Sequence, residues 1–243
     1  MNNKVSIIMP TYNYAKYIQN SIDGILNQTY QNFELIIVND GSTDNTKEIL
    51  ERQTDPRIKT IHKNNGGCGS ALNLGFPLAT GEYETWFASD NKMYPHALKE
   101  LVLVLDTNPK IDFVYGCCGE AVTQKDNSVK FQKDYNTEGM IWNPIGFYDR
   151  FNIGVVWLWR KELRIKAGEK YIEEPCEDYD MTTRMIEAGG QFHYISNRLG
   201  WYRVHNEGLQ GKLKKEQPDY IKNLVIKAKK RRDEKIKRGL IIK

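Results

Sequence analysis

At 243 residues, with 40% hydrophobic and 27% charged residues, the chain can bury one sizeable α/β core with a short appendage. No apolar run reaches bilayer length, and Met1-Asn2-Asn3-Lys4 leads straight into a strand-like run without a signal-peptide stretch, so a cytoplasmic protein is expected. The net charge of +4 hides an uneven division: residues 212–243 hold 13 basic and 4 acidic side chains, leaving 22 basic against 27 acidic in the body.

The four cysteines, Cys68, Cys117, Cys118 and Cys176, show neither a CxxC pair nor zinc-ligand spacing, which excludes a disulfide framework or zinc module. Adjacent Cys117-Cys118, at the end of an apolar run, read as reduced, buried small hydrophobes.

The first half alternates strand and helix signals. Val5–Met9 is a buried-strand run ending at Pro10, and Ile18, Ile22, Ile25 and Leu26 give helical spacing across 15–28. Phe33–Val38 is a second strand, closed by the turn Asn39-Asp40-Gly41-Ser42, after which Asp44 can cap a helix. A strand at 58–61, a helix at 69–78, a strand at 83–87, a helix at 95–105 opened by Pro95 and a strand at 112–117 follow. Such βα repeats predict a Rossmann-like, mostly parallel sheet with helices on both faces, whose ligands bind at the carboxyl ends of the strands. Residues 119–155 mix polar turns with aromatics and suit an acceptor-facing region. A helix is predicted at 178–188, then short strands at 192–195 and 201–204.

The strand-ending residues carry the chemistry. Asp40 can accept from a base imide N–H or ribose hydroxyls, though it equally suits an Asx turn. Beside it, Tyr12 of Pro10-Thr11-Tyr12-Asn13 can stack on a base or pack its own loop. Asp90, in Ala88-Ser89-Asp90-Asn91, offers the hard oxygen that Mg²⁺ or Mn²⁺ needs at a sugar diphosphate, with Ser89 or Asn91 assisting; a helix cap is the alternative. Glu177-Asp178-Tyr179-Asp180 opens a helix, as a general base or as dipole-favoured capping acids. The dipole would lower such a carboxyl's pKa. His205 could ligate the metal or simply pack, and Arg203 could bind a phosphate. No P-loop pattern is present, so a P-loop ATPase or kinase has no support.

Taken in order, Val5-Ser6-Ile7-Ile8-Met9-Pro10-Thr11-Tyr12-Asn13, Gln28-Thr29-Tyr30, Phe33–Ser42, Gly81-Glu82-Tyr83, Ala88-Ser89-Asp90 and Glu177-Asp178-Tyr179-Asp180 resemble family 2 glycosyltransferases. The resemblance covers about residues 4–206 and implies the GT-A fold. It implies an inverting, metal-dependent transfer from a nucleotide-sugar donor, a UDP-sugar being favoured, to a hydroxyl of a glycan or lipid-linked saccharide. Pro10, Thr11, Tyr12, Asn13, Asp40, Ser89 and Arg203 would contact the donor, Asp90 and His205 the Mn²⁺ or Mg²⁺, and Asp178 would be the base with Glu177 beside it. Ala88 departs from the family pattern by replacing the first acid of its metal motif, and Leu72 stands where many members carry arginine. Alternatives are a nucleotide-sugar-binding protein without catalysis, or a nucleotidyltransferase.

The expected organisation is a nucleotide-sugar-binding half at 1–117, an acceptor and catalytic half at 118–211, and a basic helical tail at 212–243. In the tail, Ile221, Leu224, Val225 and Ala228 recur at helical spacing before Lys229-Lys230-Arg231-Arg232. This stripe suits peripheral contact with the inner face of the cell membrane, or packing on the body or a second subunit as a homo-oligomer. No nucleic-acid module accompanies the charges, so no nucleic acid is expected.

Overall fold

A computed structural model describes residues 3–124, 129–135, 154–205 and 219–239. Four parallel strands, β1 (Val5–Thr11), β2 (Phe33–Asn39), β3 (Ile58–His62) and β4 (Tyr83–Trp86), run in the order β3-β2-β1-β4. The sheet continues through β8 (Trp157–Arg160), antiparallel to β4, then β6 (Phe113–Thr123), β9 (Phe192–Val204) and the short β5 (Lys92–Met93). A further strand, β7 (Val129–Tyr135), pairs with β6. The predicted mostly parallel sheet is therefore borne out, with β8 antiparallel near its centre and β5 and β7 antiparallel to β9 and β6.

The period-2 alternation of β1 divides the core into two layers. Val5, Ile7 and Met9 face α1 (Ile18–Leu26) and α4 (Ala97–Thr107), packing on Ile22, Leu98 and Leu101. Ile8 faces the other way, toward Leu72 of α3 (Cys68–Gly75), Phe76, and Met181 and Met185 of α6 (Glu177–Glu187). Pro10 sits in β1 opposite Val38. It lies past the last β4 partner, where Ile8 pairs with Trp86 and accepts from Phe87 N–H, so no ladder on that side needs its missing donor.

The first helix begins at Ile18, three residues later than its apolar spacing suggests. Tyr14 N–H donates to Thr46 Oγ1 and Ala15 N–H to Asp44 Oδ2, so these residues serve the neighbouring loop. The two short strands expected after α6 are one strand, β9. Its pairing with β6 shifts register twice near Gly116–Cys118, opposite the polar stretch that interrupts the apolar pattern. The predicted segment 119–155 lies partly outside the described residues, including Trp142, Phe147, Tyr148 and Phe151.

The tail forms α7 (Tyr220–Lys237). Leu224, Val225 and Ala228 pack on the core layer that contains α6. Arg231 Nε donates to Glu187 Oε1 and Oε2 at 2.7 and 2.9 Å and Nη2 to Thr183 Oγ1 at 2.9 Å, while Lys235 Nζ lies 3.1 Å from Glu187 Oε2. These cations balance the buried carboxylate of Glu187. Arg231→Met is accordingly expected to speed backbone hydrogen exchange across α7 by about tenfold or more. Unchanged exchange would contradict this anchoring. Among the described residues no helix is long and apolar enough to cross a membrane.

Candidate active site

The carboxyl ends of β1 and β2 are stitched together. Asp40 N–H donates to Thr11 C=O at 2.9 Å, and Asn13, in a left-handed conformation (φ 56), uses its Oδ1 to accept from Thr43 N–H at 2.7 Å. Asn13 N–H in turn donates to Ser42 Oγ at 2.9 Å. Tyr12, between them, is 44% exposed and available to stack on a ligand. Thr11 is buried, and its Oγ1 has no hydrogen-bond partner among the described residues.

Asp40 is also buried, and its carboxylate is already engaged. Lys63 Nζ donates to Oδ1 at 2.6 Å, Asn65 Nδ2 to Oδ2 at 3.1 Å, Gly66 N–H to Oδ1 at 3.0 Å and Gly67 N–H to Oδ2 at 2.7 Å. A carboxylate offers about four acceptor sites. Asp40 thus shapes the loop that leads into α3, a task that sequence reading did not assign to it.

Asp90 and His205, remote in sequence, meet at the end of β9: His205 Nε2 lies 3.0 Å from Asp90 Oδ2. The His205 ring packs against Tyr17 (4.9 Å) and Tyr14 (5.8 Å), and its Nδ1 is buried without a partner among the described residues. Arg203 braces the same turn. Its Nε donates to Asp90 C=O at 2.7 Å and its Nη1 to Thr123 Oγ1 at 2.7 Å, with the guanidinium between the rings of Tyr17 and Trp201. Asn91 Oδ1 accepts from Arg203 N–H at 3.1 Å. Ser89 Oγ, buried at the same turn, is unpartnered among the described residues. Among the described residues no cluster of three or more His, Cys, Asp or Glu could hold a metal. Asp90 and His205 fit a cation that takes few protein ligands and completes its shell with phosphate and water, as Mg²⁺ does.

Asp178 and Glu177 open α6, entered through Cys176 in a left-handed conformation (φ 67). Asp178 Oδ1 accepts Tyr179 N–H at 2.7 Å. Its pKa is nevertheless raised to about 7, first by burial and then by the Glu177 charge. Burial raises Glu177 as well. The expected lowering by the helix dipole is therefore outweighed: an aromatic and apolar wall of Trp86, Phe113, Trp157, Trp159, Tyr171 and Met181 surrounds the carboxyl. The Cys68 thiol, at the start of α3, hydrogen-bonds Glu177, and burial holds it well above its usual pKa, so it serves as a donor.

Close backbone packing joins α3 to the approach of α6. Asn73 Nδ2 donates to Tyr171 C=O at 2.9 Å and Asn73 Oδ1 accepts from Tyr171 N–H at 2.8 Å. A Cβ on Gly69 would stand 1.9 Å from Ile172 C=O. Gly69→Ala is expected to force the 172–173 backbone away, destabilising the fold by ~1–3 kcal/mol in denaturant unfolding.

The Glycosyl transferase family 2 model matches residues 6–164, about two thirds of the chain. The chain belongs to glycosyl transferase family 2. The match ends before Asp178. Curated relatives include an uncharacterized glycosyltransferase of Rickettsia felis, 41% identical over 217 residues, covering 84% of this chain and 34% of that protein. The chondroitin synthase of Pasteurella multocida is 32% identical over 212 residues, covering 82% of this chain and 20% of that one. This family 2 chain therefore spans well under half of those relatives. Among solved structures, Staphylococcus aureus TarS 1-349 in complex with UDP-GlcNAc superposes with a TM-score of 0.71 at 22% identity, covering 86% of this chain and 60% of that one. The mannosyltransferase PcManGT of Pyrobaculum calidifontis, in complex with GDP-Man and Mn²⁺, gives 0.65 at 21% identity, covering 85% and 58%. The fold is GT-A.

The structure thus puts Asp90 beside His205, Asp178 beside Glu177 at the start of α6, and Thr11 and Asp40 at the carboxyl ends of β1 and β2. Sequence reading missed Lys63, Cys68, Asn73 and the tryptophans. Trp157 and Trp159 carried a usable signal, two indoles at i, i+2, which in a strand place both on one face.

Proposed function

We propose that this protein transfers a sugar from a nucleotide-sugar donor, preferably a UDP-sugar, to a hydroxyl of a glycan or lipid-linked acceptor, with inversion. The observation that carries this is Asp178: a half-buried acid in the first turn of α6, beside Glu177 and lining a cavity with Trp86, Trp157 and Trp159, its pKa raised by burial to about 7, the range a general base needs. The acceptor oxygen bonds to the anomeric carbon as the bond from that carbon to the diphosphate oxygen breaks. The electron pair leaves with the nucleoside diphosphate, and the acceptor proton passes to Asp178. Glu177, held by the Cys68 thiol, keeps its charge close and supports the proton affinity of Asp178.

Tyr12 and the Pro10–Asn13 loop would hold the base, with a base imide taking the place of one of the four donors on Asp40. The unpartnered Thr11 Oγ1, Ser89 Oγ and His205 Nδ1 at this edge supply polar atoms for the donor and its water. Asp90 and His205 would hold Mn²⁺ or Mg²⁺, which supplies positive charge to the departing diphosphate. Arg203 would act mainly by fixing Asp90, since two of its nitrogens are already bonded. Support for nucleotide and metal comes from the ligands of the two structural neighbours. Residues 1–117 would serve the donor and 118–211 the acceptor, within one sheet. On α7, exposed Lys222, Lys227, Lys230 and Lys237 flank Ile226, 54% exposed, which suits an anionic surface where a lipid-linked acceptor lies.

UDP with Mn²⁺ is expected to raise Tm by about 5–10 °C at a hundredfold excess over Kd, and EDTA or Asp90→Asn to remove most of that rise. A metal-independent rise would contradict the Asp90–His205 assignment. Binding without donor turnover would favour a binding protein, and pyrophosphate release from a nucleoside triphosphate a nucleotidyltransferase.

A further inference from the structure

We infer that the cavity bounded by Trp86, Trp157, Trp159, Tyr171, Asp178 and Thr182 is a binding site for one water-sized hydroxyl, which accepts from the indole N–H groups of Trp157 and Trp159 and donates to the Asp178 carboxylate. The inference rests on the proposed reaction for its consequence, not for its geometry.

Two buried donors lack acceptors here. Trp157 and Trp159 are 4% and 2% exposed, and neither Nε1 has a hydrogen-bond partner among the described residues. An indole N–H can only donate, so nothing in its own chemistry compensates. Buried polar groups without partners are rare enough in folded proteins that two lining one cavity call for a ligand. The cavity measures ≈ 10 Å³, room for a single water and for no sugar ring. Asp178 supplies the acceptor that completes the network. Tyr179 N–H occupies only part of a carboxylate's acceptor capacity. A water oxygen accepting from both indoles still has two hydrogens to give, one of them to Asp178, and Thr182 lines the same cavity. Every group is then satisfied, with three to four bonds to the water.

The consequence falls on the base. Such a molecule sits in the wall that buries Asp178, restrains the carboxylate's rotation and favours its charged form against that burial. The other titratable groups around Asp178 are Glu177 and Cys176 on its own segment, Cys68 from α3, Tyr171 in the same wall and Tyr220 from α7, near Glu177. None of these is a cation. Trp157 and Trp159 are thereby positioning residues for Asp178.

The test is a high-resolution crystal structure of the full chain, with ¹³C NMR titration of the Asp178 carboxyl in wild type, Trp157→Phe, Trp159→Phe and the double variant. One ordered water within hydrogen-bonding distance of both indoles and Asp178 is expected, lost in the double variant. The Asp178 midpoint should rise by about one pH unit in that variant. A dry cavity, or an unmoved midpoint in folded variants, would overturn the inference. If the double variant does not fold, the wild-type density and the single variants decide. Absence of glycosyl transfer with the water present would refute the proposed reaction and leave this site standing.

Discussion

Replacing Asp178 by Asn is expected to lower kcat by ~10²–10⁴-fold while leaving the Kd for UDP unchanged. Asn keeps the size of the side chain and can still accept the Tyr179 N–H bond, but it cannot take up the acceptor's proton. The pKa of about 7 also fixes the pH response. In wild type the ionised base forms as pH rises through about 7, so kcat should climb toward a plateau above that value. The stability response has the opposite sign. A carboxyl whose folded pKa lies above its unfolded value of about 3.9 favours folding most when protonated, and that contribution is lost as pH rises through about 7. Asp178→Asn should therefore be at least as stable as wild type at pH 8, measured by urea unfolding. Lost turnover together with lost stability would point to a structural role instead.

The largest loss of stability is expected at a site remote from the chemistry. Glu84 of β4 and Arg164 of α5 (Lys161–Lys166) form a buried pair, with Nε to Oε2 at 2.6 Å and Nη2 to Oε1 at 3.0 Å. The guanidinium also stacks over Phe76 and donates to Glu169 C=O. Arg164→Met leaves the Glu84 carboxylate, with 0% side-chain exposure, without its counter-charge. A cost of ~3–5 kcal/mol is expected, roughly a 10 °C fall in Tm. Replacing both, as Glu84→Leu with Arg164→Met, should recover most of that loss, because two apolar side chains need no compensation. A double variant as unstable as the single one would mean that packing, not the stranded charge, sets the cost.

The βα half was legible because its signals are local. Val5–Met9 and Phe33–Val38 are apolar runs ended by Pro10 and by Asn39-Asp40-Gly41, and the 3–4 spacing of Ile18, Ile22 and Ile25 needs no partner to be read. The later strands were harder. β8 is four residues long, and its place between β4 and β6 is decided by pairings across some 45 to 75 positions of sequence. β9 was split in the reading because Ser196-Asn197-Arg198 break its pattern, whereas in the fold the β6 ladder carries the strand through.

The site was legible as residue types and strand ends, but not as a set of contacts. Nothing local announces that His205 reaches Asp90 across 115 residues, or that Lys63 and the Gly66 and Gly67 amides saturate Asp40. The direction of the Asp178 shift was misread for the same reason. The helix dipole is visible in sequence, but the tryptophan wall that outweighs it is assembled from β4, β8 and α6 only on folding.

The central claim, a single displacement at the anomeric carbon assisted by Asp178, is tested most directly by following an α-linked UDP-sugar with Mn²⁺ by ¹H NMR. Slow transfer to water is read before mutarotation scrambles the product. The first reducing sugar released should be the β anomer, formed by wild type and suppressed in Asp178→Asn; an α anomer, or equal release by both proteins, would contradict the account.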